Sequence, residues 1–119
     1  MKNRHMVNEI KESGILVEIE SNLRKIYGSK LMKIILYGSY ARGEQVQGSD
    51  LDVMVLLNMD EEEFKKYSEQ VLGLAVDLTT RYGIVVSIQE NNIDFFNKWV
   101  DTLPFFNSVS SEGVELYGK

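Results

Sequence analysis

Apolar residues return along this chain in two different rhythms, and the alternation between them predicts the elements. Between residues 6 and 27, Leu16, Ile19, Leu23 and Ile26 recur at spacings of three and four, which predicts a helix with one apolar stripe. Gly14 weakens its first half, and Gly28 is placed to stop it. Leu31–Gly38 (LMKIILYG) is then a short, nearly continuous apolar run and predicts a buried strand. Ser39–Ser49 opens with a helix-start signal and continues as loop composition. Leu51–Leu57 (LDVMVLL) predicts a second strand. Asp60, with Glu63 three residues on, forms a variant capping box for a helix that carries Phe64, Tyr67, Val71, Leu74, Leu78 and Tyr82 and stops at Gly83. Ile84–Gln89 predicts a third strand. Asn91 is placed to cap a short helix with Ile93, Phe96 and Val100, and Pro104 fits the first turn of a last helix ending near Gly113. Val114 and Leu116 suit a short final strand. The expected fold is α/β (α+β), a small mixed sheet with helices packed against it, in one domain over residues 1–119. The order of the strands does not follow from the pattern.

Composition narrows the chemistry. Thirteen basic and eighteen acidic side chains give 119 residues a net charge of −5. Such a balance opposes extended nucleic-acid binding, which neutralises phosphates with a basic surface, but leaves room for a local pocket for one nucleotide. There is no cysteine, hence no disulfide, thiolate metal site or cysteine nucleophile. The lone histidine, His5, reads as a solvated terminal residue, which disfavours a Ser-His-Asp arrangement. No apolar run is long enough to span a membrane and the start lacks a signal-peptide core, so the expected location is the cytoplasm.

The segment Gly38–Asp52, GSYARGEQVQGSDLD, concentrates the candidate chemistry. Gly38 ends a strand without a Cβ and lets a ligand approach the backbone closely. Ser39 is the expected N-cap of the next helix, where outward N–H groups and its hydroxyl suit an anion. Arg42 lies one turn on, within reach of a phosphate. After the loop come Ser49, Asp50 and Asp52. Strand periodicity puts the two carboxylates on one face, roughly 6–7 Å apart along the chain. They repel unless a cation lies between them, and Mg²⁺ commonly joins one or two carboxylates to substrate phosphates.

In this segment the chain resembles the nucleotidyltransferase superfamily that includes DNA polymerase β and the poly(A) polymerases. The form G-S-x-A-R-G followed by S-D-x-D is similar to that of its minimal bacterial and archaeal members. The resemblance implies a nucleotidyltransferase-like fold. It implies that Gly38 and Ser39, with Arg42 and Ser49 beside them, hold a nucleoside triphosphate, expected to be ATP, and that Asp50 and Asp52 bind Mg²⁺ and serve as catalytic carboxylates. It further implies a partner, because minimal members are often paired with a helical HEPN toxin, and some transfer AMP to a tyrosine of it.

One position departs from the family pattern. A third carboxylate belongs between apolar residues on the third strand, and Ser87 stands there in Val86-Ser87-Ile88. Alternation puts Ser87 and Gln89 on the face expected to hold the acid, and Glu90 reaches it only through a bulge. Two readings therefore stay open: a nucleotidyltransferase that moves AMP to a hydroxyl, and a weak or inactive antitoxin-type module that works by binding its partner. The aromatic group Phe95, Phe96, Trp99, Phe105 and Phe106 is expected mainly to pack helices on the sheet; the alternative is a partner surface.

Overall fold

In the computed structural model, the described residues are Ile10 and 12–119. His5 and the expected first turn of the opening helix lie outside them. Ile10, Glu12 and Ser13 are helical, but Gly14 takes a left-handed φ of 89°, so the long helix starts afresh as α1, Ile15–Tyr27. The expected single helix over residues 6–27 is thus interrupted: glycine adopts this φ at no steric cost, and here it ends the run instead of only weakening it. A single 3₁₀ turn at Gly28–Lys30 leads into β1, Leu31–Tyr37. There follow α2 (Ser39–Arg42), β2 (Leu51–Leu57), α3 (Glu61–Phe64), a 3₁₀ turn and α4 (Ser68–Tyr82). The Asp60 carboxylate accepts from the Glu63 N–H at 3.0 Å, as the capping box requires. The rest of the chain forms β3 (Val86–Asn92), α5 (Ile93–Trp99), α6 (Pro104–Glu112) and β4 (Val114–Gly118).

The third strand starts and ends later than the apolar run suggests. Ile84 and Val85 lead into it, and Glu90, Asn91 and Asn92 continue it beyond the expected end at Gln89. The cap of α5 moves accordingly to Asn92, whose side-chain oxygen accepts from the Phe95 N–H at 2.9 Å, in place of the expected Asn91.

The four strands lie in the order β3-β2-β1-β4. β1 runs antiparallel to β2 and β4, while β2 and β3 are parallel, so the sheet is mixed as expected. Side chains alternate between its two faces. One face presents Ile34, Leu36, Val53, Val55 and Leu57 to Ile19 and Leu23 of α1 and Leu74 and Leu78 of α4. The other presents Ile35, Met54 and Leu56 to Phe96 of α5 and to Phe106 and Val109 of α6. The aromatic group therefore divides. Phe96 and Phe106 are core, as expected, whereas Phe95 and Phe105 are 49% and 44% exposed. Among the described residues no helix is long and apolar enough to cross a membrane.

A polar clamp ties the two helices of the first layer together. Arg81 of α4 donates to Glu18 of α1, with Nη1 at 3.1 Å, and to Asp77; the Tyr82 hydroxyl also donates to Glu18. The Arg81 guanidinium, then Tyr82, hold the Glu18 carboxyl at about 2, below its ordinary 4.5. A depressed carboxylate stabilises the fold fully above its unfolded pKa, and that contribution is lost as pH falls through the folded one. Thermal melts are therefore expected to fall between about pH 4.5 and 2, and to fall less in Glu18→Gln. Parallel acid profiles for the two proteins would remove Glu18 from this account.

Candidate active site

The site is assembled where β1 ends and β2 begins. Gly38 follows Tyr37 with φ 77° and ψ −157°, a backbone region essentially confined to glycine. A Cβ there would collide with Oδ2 of Asp52 and stand 3.3 Å from its Cγ. The backbone of the glycine-serine junction thus lies directly against the second carboxylate of the aspartate pair. Gly38 is the cap residue of α2, and Ser39 is its first helical residue with no capping bond from its side chain. This corrects the expected role of Ser39, and the reason is local: the unusual Gly38 conformation already makes the turn. The first bond of this one-turn helix runs from the Arg42 N–H to the Gly38 carbonyl at 3.2 Å. The N–H groups of Ser39, Tyr40 and Ala41 precede it.

Arg42 is held by carboxylates. Its Nε lies 2.8 Å from Glu44 and its Nη1 3.6 Å from Glu112 on α6. Glu44 is the chief cause of its raised pKa. Ser49 closes the loop before β2: its Oγ accepts from the Val46 N–H at 2.9 Å, and its own N–H donates to the Val46 carbonyl at 3.0 Å.

Asp50 is exposed and immediately precedes β2; Asp52, within the strand, is half-buried. Desolvation raises the Asp52 pKa, the charge of Asp50 raises it further, and Arg42 opposes both. Two hard oxygen donors that already repel one another, one of them partly desolvated, fit a divalent cation by their chemistry. No group of three or more histidine, aspartate or glutamate side chains is placed to hold a metal among the described residues.

The parallel register explains that shortfall. Asp52 of β2 pairs with Ser87 of β3, so both side chains emerge on one face, as alternation predicted. Gln89 shares that face, opposite Met54. Glu90 is opposite Val55 on the other face, where the Tyr27 hydroxyl donates to its carboxylate. The register runs without a shift from Leu51↔Val86 to Leu57↔Asn92, so no bulge brings Glu90 round. Two residues near Asp52 are not singled out in the sequence as functional. Tyr37 reads there as the end of an apolar run and Gln89 as the last residue of the third strand, on the acid-bearing face, and the register sets both beside the site.

The profile of the nucleotidyltransferase domain matches residues 16–101, a span holding the whole Gly38–Asp52 segment and Ser87. The chain belongs to the nucleotidyltransferase domain family. A chain of Methanocaldococcus jannaschii, named a candidate protein adenylyltransferase, is 31% identical to this nucleotidyltransferase domain over 106 residues, 89% of this chain and 98% of that one. A second from the same organism, similarly named, is 41% identical over 87 residues, 66% of this chain and 81% of that one. Among solved structures, a chain of a toxin-antitoxin crystal structure with AMP-PNP has a TM-score of 0.55 at 24% identity, covering 87% of this chain and 73% of that one. A chain of tri-AMPylated Shewanella oneidensis HEPN toxin in complex with MNT antitoxin has a TM-score of 0.50 at 21% identity, covering 90% and 72%. At these identities the structures show a shared fold, and the nucleotidyltransferase-like architecture expected from the sequence is the one found.

Proposed function

We propose that this nucleotidyltransferase domain binds a nucleoside triphosphate, ATP, with Mg²⁺ where Gly38 meets Asp52, and that it transfers the adenylyl group slowly or not at all. In this reading the domain acts chiefly through a helical protein partner of the HEPN kind. The observation that supports the site is the contact between the bare Gly38 backbone and the Asp52 carboxylate. With it, the start of α2 and the Asp50–Asp52 pair, whose charges already act on one another, would be the parts that a triphosphate and its cation use.

Asp50 and Asp52 would hold the metal, and Ser39, Arg42 and Ser49 would position phosphates. When bound, the metal would neutralise phosphate charge and polarise the α-phosphate. Transfer to a hydroxyl forms a bond from its oxygen to the α-phosphorus, breaks the bond to pyrophosphate and releases the hydroxyl proton. A positioned base typically contributes 10²–10⁴-fold to such a step. Ser87, neutral and beside Asp52, does not accept that proton at neutral pH, and Glu90 is engaged by Tyr27 on the opposite face. The partner and the adenylyl chemistry are supported by the names of the similar proteins, a toxin-antitoxin complex and candidate protein adenylyltransferases.

Asp50→Asn combined with Asp52→Asn is expected to weaken Mg-ATP binding at least about tenfold while leaving the thermal midpoint unchanged or higher without metal, since it removes a repulsion. Calorimetry giving equal affinity for wild type and double variant would reject the site. Labelled ATP with Mg²⁺ and a helical HEPN partner then reads transfer: rapid labelling by the wild type would favour the enzyme over the binding module.

A further inference from the structure

Tyr37 and Gln89 meet above the sheet although their strands are not neighbours. Tyr37 of β1 is the register partner of Asp52, and Gln89 of β3 is the partner of Met54. β2 lies between them. The Tyr37 hydroxyl nevertheless donates to Gln89 Oε1 at 3.1 Å. The phenol and the amide side chain therefore bridge β2 diagonally, covering between them two strand spacings of about 4.8 Å each, over the gap between Asp52 and Met54. Phe105 packs edge-on behind it with ring centres 5.6 Å apart. The cover of α5 and α6 over Ile35, Met54 and Leu56 ends at this bar, and the acidic end of the sheet begins. The charge of Asp52 reaches the phenol, raising its pKa after the larger effect of burial.

We infer that Tyr37 and Gln89 form the nucleoside-facing wall of the candidate site, so that they separate a nucleoside triphosphate from a bare polyphosphate. The inference rests on the nucleotide site proposed above. The Tyr37–Gln89 bond is open to solvent, and Gln89 Nε2 has no protein partner among the described residues. An aromatic ring and a free amide donor beside the phosphate end give a base or ribose a surface for stacking and one hydrogen bond. A purely structural tie is redundant there, because the ladders on both sides of β2 already join the three strands. Cover over Met54 needs no hydroxyl, and an exposed hydrogen bond adds little to stability.

The test compares ATP with inorganic tripolyphosphate, each with Mg²⁺, by calorimetry on the full chain. Tyr37→Phe removes only the hydroxyl, and Gln89→Ala removes only an exposed amide. Each variant is expected to weaken ATP binding roughly three- to tenfold, with tripolyphosphate affinity changed by less than about twofold. The double variant is expected to lose less than the sum of the two, because the residues act as a pair. Equal weakening of both probes, or unchanged ATP affinity, overturns the inference and leaves the phosphate and metal site standing. A wild type that binds neither probe overturns that site and the inference together. Thermal melts accompany each variant, and if Tyr37→Phe unfolds, Gln89→Ala decides.

Discussion

Ser87→Asp is expected to bind Mg²⁺ about tenfold more tightly than the wild type, since one added charge a few ångströms from a divalent ion outweighs its repulsion by neighbouring acids. Any adenylyl transfer is expected to rise by roughly 10²–10⁴-fold, the usual contribution of a positioned base. The geometry behind this is the register: Ser87 sits opposite Asp52 on the adjoining parallel strand and is exposed, so a carboxylate there needs no repacking. Without metal, three acids at one end of the sheet lower stability, and Mg²⁺ reverses the loss. The variant should therefore melt lower than wild type in a chelator and higher in Mg²⁺. Unchanged metal affinity would mean that position 87 does not face the cation. Glu90→Gln is the matched control, with no effect expected on metal binding because Glu90 points to the other layer.

Gly38→Val is expected to abolish nucleotide binding and to destabilise the fold by about 1–3 kcal/mol. Two costs add. The backbone at φ 77° and ψ −157° is closed to a β-branched residue, and the new side chain enters the space of the Asp52 carboxylate. The two are separable. Adding Asp52→Ala to Gly38→Val removes the collision but not the backbone strain, so stability is expected to recover in part. Chemical denaturation of the wild type, Gly38→Val, Asp52→Ala and the double variant checks this, and full recovery in the double variant relative to Asp52→Ala would show that strain at Gly38 is small.

The elements that were legible in the sequence are those whose reason is local. Leu31–Tyr37 and Leu51–Leu57 are apolar because they are central and covered on both faces. Asp60 and Pro104 declare helix starts by chemistry confined to one turn. The glycine-serine and aspartate motif was legible for the same reason: both halves sit in one short segment. β3 was misplaced because its last residues are polar for distant reasons. Glu90 meets Tyr27 of α1, Asn92 donates to the Met59 carbonyl, and Gln89 meets Tyr37. No pattern within β3 announces those partners. The strand order and the Tyr37 bar belong to the same class, since both are properties of register, which hydrophobic periodicity does not encode between elements.

The position of β4 has a consequence for how the protein is made. Leu36 of β1 pairs with Val114 of β4, so that side of β1 stays bare until β4 has left the ribosome. A nascent chain can already hold Gly38, Asp50 and Asp52, and even pair β1 with β2, while its apolar edge is open to any other strand. Stalled or truncated translation products ending before Gly113 should accordingly be the species that aggregate or call for a chaperone.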